Sequence, residues 1–155
     1  MSKLESHSTG IGDYPALVVV DMCKAFIDSS SPLGFECNEL IQANINLVKK
    51  FRLNKFPVIF TTTIYRNPSE ASVFRSKIPA LNILEPESDA VTFIDDLAPS
   101  KDEILIEKKF ASAFFQTKLI DSLHKMKADS IVICGVTTSG CVRATAVDPL
   151  HNNVT

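Results

Sequence analysis

The chain predicts an α/β fold of three layers, helices on both faces of a mainly parallel central sheet. Three observations lead there: strand-sized, almost wholly apolar runs recur at ALVVV, PVIFTTTIY, ILIE and SIVICG; stretches with helical spacing alternate with them; and 155 residues suit one hydrophobic core rather than two. Residues 1–14 are expected to form a flexible lead-in and 15–155 a single domain.

The first strand follows Pro15 and ends at Asp21, and its unbroken apolar character suits burial on both faces. From Asn38 to Leu53, Ile41, Ile45, Val48 and Phe51 recur every three or four residues, predicting a helix with Lys49, Lys50 and Arg52 toward solvent. Pro57 opens the second strand, rich in β-branched residues. Between Arg66 and Pro86 three prolines break any long period, so a wrapping excursion with a brief helix is expected. AVTFID, ending at Asp95, reads as a short strand or edge extension. ILIE reads as a further strand, followed by a helix with Phe115, Leu119, Leu123 and Met126 on its inner face. SIVICG is a central-strand candidate and SGCVRATAVD the helix after it, interrupted at Pro149.

Composition excludes several classes of function. A net charge of -2, spread along the chain, offers no basic surface for nucleic acid or an anionic membrane. The longest apolar runs are too short for a bilayer, and the polar N-terminus has no signal-peptide core, so a reducing, cytoplasmic setting is expected for the four cysteines. His7, His124 and His151 are dispersed, without ligand spacing or a Cys/His pair, and no metal or cofactor is expected. Neither a phosphate loop nor GxGxxG is present.

Asp21 ends one buried strand, Lys108 lies just beyond another, and Cys141 lies on the connection leaving a third. Sites in open parallel sheets gather beyond the carboxyl ends of the strands, so these three share one edge. A cysteine at a helix start beside a cation is favoured as thiolate, and a neighbouring carboxylate can exchange its proton. The amide of Cys141 and another from the Thr137 to Gly140 turn can receive an oxyanion, with Gly135 and Gly140 permitting close approach. From position alone, Cys141 also reads as a packing thiol, Asp21 as a turn cap and Lys108 as a solvated charge.

ALVVVDMCKAF, EKKFASAFFQTKL and VICGVTTSGCVRATAVD together resemble the three signature regions of the isochorismatase-like cysteine hydrolases, most closely the N-carbamoylsarcosine amidase branch. The resemblance extends over roughly Pro15 to Asp148 and includes SPLG at Ser31 to Gly34 and VFRSKIPAL at Val73 to Leu81. It implies Asp21 as base, Lys108 as cationic partner and Cys141 as nucleophile, Lys108 being preferred to Lys109 by its distance from Ser112. It also implies a cis peptide before Thr137, whose amide joins that of Cys141 at the oxyanion. The implied substrate is a small amide or carbamoyl compound that loses ammonia through a covalent cysteine intermediate. TTTIYRNPS stands where metal-binding nicotinamidases carry Asp-x-His, which favours a metal-free branch, and Cys141 argues against vinyl-ether hydrolysis. The chain stops soon after Asp148, so the C-terminal part of the family fold is expected to be missing. The alternative is therefore an impaired or structural relative acting through self-association, and a homo-oligomer is expected.

Overall fold

A computed structural model describes residues 10–151. Four parallel strands, β1 (Pro15–Val20), β2 (Val58–Thr63), β3 (Ile104–Lys108) and β4 (Ser130–Gly135), form one sheet in the order β3-β2-β1-β4. β1 and β2 are buried at every position, which is why their sequences lack the apolar-polar alternation of a half-exposed strand. The sequence places β4 at the centre, but among the described residues it pairs with β1 alone, at one side of the four-stranded sheet, and most of its residues are half-buried.

Alternate side chains of the strands feed two cores. On one face Leu17, Val19, Val58 and Phe60 pack with Ile45, Val48 and Phe51 of α2 (Asn38–Leu53), preceded by a single turn, α1 (Lys24–Ile27). On the other, Ala16, Val18, Val20, Ile59 and Ile106 pack with Leu119 and Leu123 of α4 (Leu119–Met126). This is the expected three-layer arrangement. Each fully buried Leu, Ile or Phe contributes about 1.5–3 kcal/mol relative to exposure. The bounds of α2 match the periodicity, but Arg52, expected toward solvent, is half-buried. Its guanidinium forks onto Glu103 at 2.8 and 2.7 Å and lies over the Phe60 ring, because Glu103 arrives from the turn before β3.

The excursion between β2 and β3 holds α3 (Ser72–Lys77) and three 3-10 turns, at Pro79–Ile83, Asp89–Val91 and Asp95–Leu97. AVTFID is therefore not a strand. Among the described residues its strand-like pairing is limited to an isolated antiparallel bridge between Phe93 and Cys23, because Ser88 caps a turn over Asp89–Val91 that takes up its first two residues. Phe115 likewise falls outside a helix and is exposed, edge-on to Phe110. The Ser112 and Thr117 side chains accept hydrogen bonds from the Phe114 and Leu119 amides, and this local bonding delays the helix to Leu119.

α5 (Arg143–His151) continues through Pro149 rather than stopping before it, so the proline removes one amide donor without ending the helix. Residues 1–9 of the expected lead-in lie outside the described residues. At its end, the Asp13 and Tyr14 amides donate to Asp129 Oδ2 at 2.7 and 2.9 Å, fastening the entry to β1 beside β4. No described helix is long and apolar enough to cross a membrane.

Candidate active site

Register brings the carboxyl ends of the strands level: Val20 lies opposite Thr61 and Gly135, and Thr63 opposite Lys108. Asp21 leaves β1 with φ 50°, a left-handed conformation that aspartate tolerates better than most residues. Its amide donates to the Thr61 carbonyl, and Thr61 Oγ1 donates to Asp21 Oδ1 at 3.0 Å. The other carboxylate oxygen lies 2.7 Å from Lys108 Nζ, and neither side chain has any solvent exposure.

Lys108 is held from several sides. Its ammonium donates to Thr63 Oγ1 and to the Phe110 carbonyl, both at 3.0 Å, and to Cys141 Sγ at 3.5 Å. Lys109 points elsewhere, pairing with Glu70 at 3.1 Å and donating to the Ile64 carbonyl, so Lys108 is the lysine at the buried cluster. Alternation along a strand puts Thr61 and Thr63 on one face, each supporting one charged partner. Sequence reasoning did not single out either threonine, although three consecutive threonines closing a buried strand were the available signal.

Cys141 reaches the cluster from the connection after β4. Gly135 has φ 112°, and a Cβ there would stand 2.0 Å from the Val20 carbonyl oxygen, so the close β1–β4 approach requires glycine. The Val136-Thr137 peptide is cis, as expected. The Thr137 carbonyl then accepts from the Gly140 and Val142 amides, closing a wide turn over Thr138–Val142 that departs from helical geometry at Gly140. Cys141 thus precedes α5 rather than lying in its first regular turn. α5 is tied to the segment after Lys108: Ser112 donates to Asp148, and the Ala113 amide donates to Thr145 Oγ1 at 3.0 Å.

The electrostatics correct one expectation. Burial pushes the Cys141 thiol up, the Asp21 charge adds to this, and Lys108 offsets only part, leaving it at about 12 rather than 9.0. Burial and the Asp21 charge thus favour the thiol over the thiolate, and Lys108, closer to the carboxylate than to sulfur, offsets only part. For Lys108, burial disfavours the ammonium, but Asp21 and Cys141 outweigh it and raise its pKa above the ordinary value. Cys23 and Cys134 are also pushed up to about 12, in each case chiefly by burial.

Lys108, Thr137 and Cys141 open onto a cavity of ≈ 270 Å³ whose walls include Phe26, Leu33, Phe74 and Leu81. The excursion between β2 and β3 supplies much of this wall, which periodicity did not identify as part of a site. Among the described residues, no group of three or more His, Cys, Asp or Glu is placed to hold a metal ion.

The isochorismatase domain model matches residues 15–155. The chain is 30% identical over 146 residues to maleamate amidohydrolase of Pseudomonas putida, covering 92% of this chain and 68% of that protein. It is 32% identical over 148 residues to N-carbamoylsarcosine amidase of an Arthrobacter species, covering 91% of this chain but 56% of the relative. Among solved structures, a cysteine hydrolase from Pseudomonas syringae pv. phaseolicola superposes with a TM-score of 0.86 at 29% identity, over 91% of this chain and 68% of the other. N-carbamoylsarcosine amidase from Thermoplasma acidophilum gives 0.74 at 28% identity, over 90% and 78%. With the domain model spanning the whole sheet and the strand-end cluster it carries, the chain belongs to the isochorismatase-like family.

Proposed function

We propose that this protein hydrolyses the C–N bond of a small amide or carbamoyl compound, with Cys141 as nucleophile, Asp21 as base and Lys108 as cationic partner. The observation that carries this reading is the contact chain from Asp21 through Lys108 to Cys141, 2.7 and 3.5 Å, at the end of a cavity. The names of the amidase relatives point to the same chemistry.

In this mechanism the thiol proton passes to Asp21 as sulfur bonds to the carbonyl carbon. Lys108 steadies the carboxylate and the developing sulfur charge. The amides of Thr137 and Cys141 receive the negative oxygen. Asp21 returns the proton to the leaving nitrogen, the C–N bond breaks, and ammonia departs from an acyl-cysteine. Water then gives a proton to Asp21 and attacks the same carbon. Breaking the C–S bond releases the acid and restores the thiol; a carbamoyl substrate yields a carbamate that breaks down to amine and carbon dioxide.

Self-association and a cytoplasmic setting belong to the same proposal. The half-buried β4 supports the first, and four unpaired cysteines support the second. The test of the chemistry is ammonia release by wild type and Cys141→Ser, side by side on a panel of amides and carbamoyl compounds. Release by wild type alone is expected. Equal release by both rejects the cysteine mechanism, and release by neither rejects the hydrolase reading in favour of a structural role.

A further inference from the structure

We infer that the cavity beside Cys141 selects an uncharged amide with an apolar acyl group, such as a branched-alkyl carboxamide, over an anionic amide of the same size. The inference rests on the hydrolase reading and names the substrate class of that site. The walls include Leu33, Phe74, Ile78, Leu81 and Phe110; of the polar lining groups, Thr63, Lys108 and Thr137 lie with the cysteine in the reacting cluster, and Tyr65 turns its hydroxyl to the Lys109 carbonyl at 3.1 Å. An acyl group that reaches past the carbonyl therefore meets hydrocarbon.

Among the described residues Lys108 is the cation that lines this space, and Arg75, Lys109 and Arg143 lie outside its lining. Lys108 is shared among Asp21, Thr63, Phe110 and Cys141. Arg75 stacks on the Tyr65 ring at 4.7 Å and turns its guanidinium to Asn82 Oδ1 and the Asn67 carbonyl, at 2.8 and 2.9 Å. Lys109 is paired with Glu70, and Arg143 lines an adjoining surface hollow that shares Ala111 and Gly140 with the cavity but none of its larger apolar wall residues. A substrate carboxylate pressed against these walls would lose its water without gaining a positive partner, whereas an apolar group gains from the same burial.

Ile78 is the position that tests this, because it lines the cavity yet is 41% exposed, so an arginine there can keep its charge hydrated at the mouth. Isovaleramide and succinamate, close in size and differing chiefly in charge, form the test pair. Wild type should hydrolyse isovaleramide with a kcat/KM at least about tenfold higher, and Ile78→Arg should shift the ratio toward succinamate by a similar factor. Calorimetric titration of Cys141→Ser with the same compounds reads binding apart from chemistry, and isovaleramide should bind more tightly. Equal or preferred use of succinamate by wild type, or an unchanged ratio in Ile78→Arg, overturns the inference while ammonia release leaves the hydrolase reading standing. Selective binding of isovaleramide without release from either compound upholds the cavity's preference and overturns the hydrolase reading. Neither binding nor release overturns both.

Discussion

Asp21 and Lys108 face each other at 2.7 Å with neither side chain exposed to solvent, although 87 positions separate them, as their numbers (108 − 21) show. Two charges removed from water are tolerated together because each is the other's partner and threonine hydroxyls bond to both. Lys108→Met leaves Asp21 buried without that partner. It should lower unfolding free energy by about 3–5 kcal/mol in urea titrations, as well as abolishing turnover. A loss below about 1 kcal/mol would show that the pair is not buried in solution.

Asp21→Asn should separate thiol reactivity from catalysis. Asparagine accepts the left-handed backbone at this position and preserves the shape of the side chain. The Asp21 charge is among the causes that raise the Cys141 pKa, so removing it lowers that pKa and exposes more thiolate to Lys108. Alkylation of Cys141, followed by peptide mass spectrometry, should therefore become faster. Ammonia release should fall by about 10²-fold or more because no base remains. Slower alkylation would contradict the electrostatic account.

Alkaline pH should destabilise the fold. The folded-state pKa values of Cys141 and Lys108 both lie above their ordinary values, so folding favours their protonated forms. For the thiol this contribution is complete below its ordinary value of 9.0 and is lost as pH rises through about 12. Denaturant midpoints should fall across that interval. Cys141→Ala should make the fall shallower without removing it, because Cys23 and Cys134 shift in the same direction.

Gly135→Ala should be far more damaging than a surface substitution. The new Cβ would stand 2.0 Å from the Val20 carbonyl oxygen, at a φ of 112° that side chains rarely adopt. β1 and β4 must then separate at the end that delivers Asp21 and Cys141. A stability loss above about 2 kcal/mol is expected in urea titrations, with reduced Cys141-dependent turnover. An unaltered midpoint would show that the strands part there at little cost.

The sequence by itself determined the four strands of the sheet, though not the fate of AVTFID, together with the 16-residue α2 and the common edge occupied by Asp21, Lys108 and Cys141. Apolar runs and helical spacing are local, and strand ends in a parallel sheet converge whatever lies between them. Cysteine and aspartate at those ends were therefore legible as chemistry, and the motif resemblance separated Lys108 from Lys109 and anticipated the cis peptide. Tertiary structure decided what depends on neighbours remote in sequence. Register placed Thr61 and Thr63 beneath the ion pair, and Glu103 drew Arg52 partly out of solvent. Local side-chain bonds held Phe115 outside its expected helix, and the excursion after β2 supplied Phe74, Ile78 and Leu81 to the cavity. The protonation of Cys141 was likewise decided in three dimensions: the helix start and lysine visible in sequence favour thiolate, but burial and Asp21 together outweigh them.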